Sequence, residues 1–200
     1  PPPANDECDA AIALTINPDA VCTDFTSGTI ASATPSSTDT AACFGTEDDD
    51  VWFSFVATST AHIVSLNNVA GSTTDLFHSL WTGADCSSLT LVPNTCSDPN
   101  NSTPSGLTIG ETYYLRVYSW TATTGQTSTF DVCIGTPPGP PANDECANAT
   151  ALIVNPDAVC TDVTPGTIYS ATASITDTAA CGGTEDDDVW FSFVATSTAH

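Results

Sequence analysis

A fixed internal repeat constrains this chain more than any other feature. Pro2-Pro3-Ala4-Asn5-Asp6-Glu7-Cys8 returns as Pro140-Pro141-Ala142-Asn143-Asp144-Glu145-Cys146, an offset of 138 residues that also relates Cys22 to Cys160 and Cys43 to Cys181. Thr46 to His62 is letter-identical to Thr184 to His200, and residues 1–62 agree with 139–200 at 50 of 62 positions. A long fixed period joined by a proline-rich seam is the signature of tandem arrays, in which each unit is one structural link. One catalytic pocket does not need near-identical copies, whereas an extended object built from interchangeable links does. The expected organisation is a complete unit over 1–138, ending in the linker Thr136-Pro137-Pro138-Gly139-Pro140-Pro141, and the N-terminal part of a second unit over 139–200. Prolines fix φ and favour extended geometry, so the seam reads as a short semi-rigid spacer. Half a sandwich leaves apolar strands unburied, so the second unit is expected to be completed by further chain or by a neighbouring subunit.

Charge excludes whole classes of partner. The chain has 24 acidic side chains against one basic residue, Arg116, for a net charge of −23. Nucleic-acid binding needs a basic footprint and anionic lipid surfaces attract basic segments, so neither partner is expected. No apolar stretch approaches the ~20 residues that span a bilayer. Cysteines point to an oxidising, extracellular compartment: the first unit carries Cys8, Cys22, Cys43, Cys86, Cys96 and Cys133, without the paired CxxC spacing of zinc knuckles. Cys86 and Cys96 flank Leu89-Thr90-Leu91-Val92 and are expected to close a hairpin as a disulfide. The pairing of Cys8, Cys22, Cys43 and Cys133 stays open.

The pattern is that of an all-β fold. Val51–Val56, His62–Leu66, Leu76–Trp81, Thr112–Tyr118 and Phe130–Ile134 are apolar or alternating runs bounded by Gly, Asn, Asp, Ser and Pro, which read as strands. In Thr112–Tyr118 the residues Tyr113, Leu115 and Val117 alternate with Tyr114, Arg116 and Tyr118, the period of a half-buried strand. One short helix is expected through Ala10–Leu14, capped by Asn5 or Asp6. Many short strands make an antiparallel β-sandwich or jelly roll, stapled by disulfides.

The Asn5-Asp6 segment, the acidic run before Val51-Trp52-Phe53-Ser54-Phe55, Thr74-Asp75-Leu76 and Gly110-Glu111-Thr112-Tyr113-Tyr114-Leu115-Arg116-Val117-Tyr118 together resemble the bacterial pre-peptidase C-terminal domain. More closely, the Pro-Pro-Ala-Asn-Asp-Glu-Cys opening and the Asp-Asp-Asp-Val-Trp-Phe-Ser-Phe strand resemble tandem repeats in large secreted proteins of Bacteroidota. The resemblance implies an extracellular, non-catalytic module used in adhesion, substrate binding or surface architecture. It also implies a structural calcium ion between the Asn-Asp segment and the acids before the aromatic strand. The candidate ligands are Asn5, Asp6, Asp48, Asp49 and Asp50, with Asn143, Asp144, Asp186, Asp187 and Asp188 in the second copy. Asp39-Thr40-Ala41 and Asp177-Thr178-Ala179 match the short pattern that resembling proteins use for O-glycosylation, which makes Thr40 and Thr178 candidate glycan acceptors.

No residue set points to catalysis. His62 and His78 lie in expected strands outside any nucleophile motif, and no two carboxylates are placed in one cleft by sequence. Trp120 sits in a polar stretch, Ser119 to Ser128, where an aromatic face could stack on a sugar. Trp52 and Trp81 lie in apolar strands and read as core. The sequence therefore points to a non-enzymatic, secreted cell-surface repeat, a link in a filament or adhesin stalk whose partners are copies of itself. The alternative is a module that binds surface glycans or protein, or an accessory domain of a secreted hydrolase.

Overall fold

The computed structural model describes residues 1–37, 43–98, 100–175 and 186–199. The chain forms two compact units, Pro1–Pro137 and Pro138–His200. In the first, the described strands are β1 (Ile12–Ala13), β2 (Thr26–Thr29), β3 (Val51–Val56), β4 (Ile63–Ala70), β5 (Leu76–Thr82), β6 (Thr90–Leu91), β7 (Asn101–Ser102), β8 (Thr112–Ser119) and β9 (Thr129–Gly135). They make two sheets, ordered β1-β3-β8-β5-β6 and β2-β9-β4-β7. Every pairing in them is antiparallel except β1 with β3.

Period-two alternation decides which side chains meet between the sheets. Val51, Phe53 and Phe55 of β3, Leu115 and Val117 of β8, and Leu76 and Leu80 of β5 face Val64 and Leu66 of β4 and Phe130, Val132 and Ile134 of β9. Phe53 and Phe130 meet edge to face at 6.0 Å across the sandwich. Gly28 of β2 leaves room for those two rings, since a β-carbon there would lie 2.8 Å from both.

The five-stranded sheet is covered on its other face as well. Trp52 of β3 and Trp81 of β5 pack there with Cys8, Cys86 and Leu89 as a second buried cluster. The half-buried reading of Thr112–Tyr118 is therefore corrected: Arg116 and Tyr118 are fully buried. Register explains it, because Arg116 lies opposite Trp52 on one side and Ser79 on the other, so it shares the tryptophans' face. That face is roofed by the N-terminal segment.

Two further expectations are corrected. The helix through Ala10–Leu14 is a single 3-10 turn, Cys8–Ala10, with no side-chain cap. The chain then extends so that Ile12 and Ala13 pair with Phe53 and Ser54. Asn5 and Asp6, the expected caps, are engaged elsewhere, and a β-branched residue at an open sheet edge gains more by pairing than by helix. The disulfide Cys86–Cys96 is also not formed; the bonds are Cys8–Cys86, Cys22–Cys133 and Cys43–Cys96. Ser97 bridges to His78 and Thr95 reaches Leu80, so Cys96 lies beside the middle of β5. Cys86 lies beyond the strand's end at Thr82. Cys86 packs instead with Cys8, Trp52 and Trp81 on the covered face of the five-stranded sheet. The bonds observed close loops of 78, 111 and 53 residues and tie the N-terminal third to both sheets.

In the second unit, a 3-10 turn spans Cys146–Asn148, and β10 (Thr150–Ala151) pairs in parallel with β11 (Phe191–Ser192). Phe193, Val194, Val163 and Ile175 are exposed there.

Candidate functional site

The N-terminal segment, the acids before β3 and Arg116 of β8 form one hydrogen-bonded clasp. The Asn5 side-chain amide donates to the Trp52 carbonyl at 2.8 Å, and the Trp52 N–H donates back to the Asn5 carbonyl at 2.8 Å. Asp6 accepts from the Thr34 N–H at 2.7 Å and the Thr34 hydroxyl at 2.6 Å. Asp50 is fully buried. Its Oδ1 accepts from the Ser36 N–H at 2.9 Å. Its Oδ2 accepts from the Ser36 hydroxyl, from the Trp52 indole N–H at 2.9 Å and from Arg116 Nε at 3.0 Å. The Arg116 guanidinium also lies 3.9 Å from Glu47, and 5.3 and 5.7 Å from the ring centroids of Trp52 and Tyr118. A carboxylate buried without a partner is strongly disfavoured, and a hydrogen-bonded guanidinium between aromatic rings is the favourable countercharge. The one basic residue of the chain is thus an interior partner, not a surface charge.

Asp49 turns to the end of β8, where it accepts from the Ser119 N–H at 2.9 Å and its hydroxyl at 2.7 Å. Burial pushes its pKa up; those hydrogen bonds oppose the rise, and the Asp48 and Asp50 charges add to it. Calcium requires six to eight oxygens around one centre. Here the oxygens of Asp6, Asp49 and Asp50 are already matched to protein donors aimed from separate places. Among the described residues no group of three or more His, Cys, Asp or Glu is arranged to hold a metal. Asp6, Asp49 and Asp50 thus serve a clasp closed by hydrogen bonds and a guanidinium, while Asp48 Oδ1 is buried without a hydrogen-bond partner.

The second unit repeats the bonds that the N-terminal segment makes with the start of the aromatic strand, without the arginine. Asn143 donates to the Trp190 carbonyl at 2.9 Å, and Asp144 accepts from Thr172 at 2.8 and 2.7 Å. Asp188 accepts from the Ser174 N–H at 2.9 Å and its hydroxyl at 2.5 Å, which holds its carboxyl below the usual range. Asp186 and Asp187 precede it without joining these bonds in the way Asp49 does. The copies differ at 12 of 62 positions, and in the first unit none of the twelve is buried. Thr40 and Thr178 lie outside the described residues.

Trp120 stands at the end of β8, 43% exposed, and stacks on Phe77 at 4.9 Å between centroids. Its carbonyl oxygen, ring and α-carbon pass so close to Gly45 (φ +82°) that a β-carbon there would lie 3.0–3.3 Å from them, and neighbouring Phe44 is 65% exposed. The Tyr118 hydroxyl donates to the Phe44 carbonyl at 2.7 Å and fixes this loop. Trp52 and Trp81 are core. His62 accepts from the Thr58 and Ser59 N–H groups at 3.1 and 3.2 Å and bonds the Gly135 carbonyl through Nδ1 at 3.1 Å, so it is structural. His78 is buried with Nε2 on Ser102 at 2.6 Å and Nδ1 without a partner. The clasp residues Thr34, Ser36 and Arg116 were not singled out from sequence. The usable signal was a solitary arginine in a strand of an otherwise acidic chain.

A family of galactose-binding-domain-like domains associated with T9SS matches residues 4–132 and again 142–200. No curated protein matches the chain.

Proposed function

Since the chain belongs to the T9SS-associated galactose-binding-domain-like family, we propose that this extracellular β-sandwich module serves as a non-catalytic link in a surface stalk or fibre. The observation that carries this reading is the repeated clasp: each interior hydrogen-bonding residue described for it in the second unit is the same as in the first, while no difference falls at a position that is fully buried in the first unit. Such links keep one mechanical interior and vary what they present. Three long-loop disulfides and a core on both faces of one sheet resist extension, and the Pro137-to-Pro141 seam sets spacing. Successive units related by a constant rotation that does not close would propagate as a helical filament. Likeness to the pre-peptidase C-terminal sandwich points to the same extracellular, accessory role. Cryo-electron microscopy of native, unreduced surface material tests it: filaments or stalks of repeated sandwich density are expected, and dispersed single particles would overturn it.

A glycan-binding role is the second reading, favoured by the exposed Trp120 ring beside Phe44 and by the family's description. It predicts saturable binding on a glycan array that Trp120→Ala removes while the variant still unfolds cooperatively. A flat array would exclude it.

A further inference from the structure

The two sheets end side by side in β1 and β2, and a groove of about 550 Å³ opens along those edges of the first unit. Pro3, Ala4 and Ile12 supply an apolar wall, and Ser27, Asn68 and Asp131 a polar one. Gly28 and Phe130 line it between those walls. Asp131 is held in one orientation. The Ser27 hydroxyl donates to its Oδ1 at 2.7 Å, and the Asn68 amide donates to its Oδ2 at 2.9 Å. Asn68 is placed for this by the irregularity between Asn67 and Ala70 in the β4–β9 pairing, where it takes φ +52°. Both donors favour the ionised carboxyl and lower its pKa. A carboxylate oxygen accepts more than one bond, so each keeps capacity for a donor from outside.

Among the described residues no basic side chain answers that charge. Arg116 is buried, there is no lysine, and His62 and His78 are buried. Among the described residues no basic side chain is exposed, so the charge complement is sought in a different protein. We infer that the groove docks a lysine or arginine side chain of a basic partner protein, with its methylene stem along Pro3, Ala4 and Ile12 and its cationic head on Asp131. The net charge of −23 supplies the long-range steering for such a partner, and the stem-plus-head division suits an amphipathic cationic side chain. In the second copy Ile12 and Ser27 are replaced by Thr150 and Pro165. Those two positions are thus not held constant between the copies. The inference stands apart from the stalk reading, which it neither requires nor supports.

The test is fluorescence anisotropy of the full, disulfide-intact chain with a labelled peptide of alternating lysine and serine, and with its glutamine-for-lysine analogue. Saturable binding of the lysine peptide is expected, with none of the analogue. Asp131→Asn should weaken it about tenfold, the scale of losing one charge-assisted contact. Ile12→Thr, the second copy's own residue, should weaken it about threefold by trimming the wall. Asp9→Asn removes the same charge at an exposed position where the second copy has alanine and should leave affinity within about twofold. Equal losses in Asp131→Asn and Asp9→Asn would reduce the effect to general polyanion attraction and overturn the inference. Equal binding of the glutamine analogue, or no binding of the lysine peptide, would also overturn it. Melting curves of each variant separate lost binding from lost folding, and Ile12→Thr keeps the test open should Asp131→Asn fail to fold.

Discussion

Replacing Arg116 by methionine should destabilise the first unit more than any other single side-chain change at equal volume. Arg116 sits 3.0 Å from Asp50 with both side chains buried, under two aromatic rings. Methionine keeps the stem and removes the charge, so Asp50 remains buried with only neutral donors, Ser36 and Trp52. Removing one partner of a buried pair costs about 3–5 kcal/mol, a large share of the roughly 5–15 kcal/mol that holds a domain folded. For a unit of this size the melting temperature should fall by about 10 °C. The assay is urea unfolding of the disulfide-intact full chain, followed by tryptophan fluorescence, for Arg116→Met, Asp50→Asn and the double variant. Because the second removal relieves the stranded charge, the double variant should be more stable than the singles' sum by about 1.5 kcal/mol or more. Arg116→Lys should recover only part of the loss, since an ammonium lacks the planar fork aimed at Asp50. A loss below about 1 kcal/mol for Arg116→Met, or strict additivity in the cycle, would refute the clasp's dependence on this pair.

Acid should reveal His78. Burial lowers its pKa from 6.5 to about 4, so the unfolded chain takes up the proton first. The folded state is therefore fully favoured above about pH 6.5, loses stability as pH falls towards 4, and levels off below it. The whole swing is about 3 kcal/mol. The difference between unfolding free energies of the parent and His78→Asn across that window isolates it; a flat difference would show that the imidazole does not carry the effect. Separately, peptide mapping under non-reducing conditions should recover Cys43 linked to Cys96, and the Cys43→Ser, Cys96→Ser double variant should lose about 4 kcal/mol by the loop-entropy argument. Recovery of a Cys86–Cys96 peptide would contradict the register of β6 and the segment after it along β5.

The strands were legible because alternation is a local property. β3, β5, β8 and β9 fall where apolar and β-branched residues recur at period two, and each differs from its expected span by no more than a residue or two. Alternation says which residues share a face but not whether the face is covered. Arg116 therefore read as solvent-facing, although Trp52 lies opposite it and a segment tied down by Cys8–Cys86, 78 residues apart in sequence, covers both. The same limit explains the mistaken hairpin disulfide, since proximity in sequence is not register. Asn5, Asp6 and Asp50 were singled out together and do come together. Their partners Thr34 and Ser36 escaped notice because short hydroxyl side chains carry no pattern apart from the structure that uses them.

The two copies separate what local sequence builds from what the completed sheet adds. In the second unit Asn143, Asp144, Ser174 and Trp190 make the clasp's bonds across 16 to 47 residues of chain, yet Asp188 and Trp190 are only half-buried. In the first unit the same bonds are joined by Arg116, 66 residues beyond Asp50, and both Asp50 and Trp52 are fully buried. The clasp therefore follows from the residues that precede and begin β3, and β8 brings the charge that makes its burial favourable. A half-solvated carboxylate needs no countercharge, whereas a fully buried one does. Arg116 meets that need at Asp50, and so ties the local clasp to a strand 66 residues further along the chain.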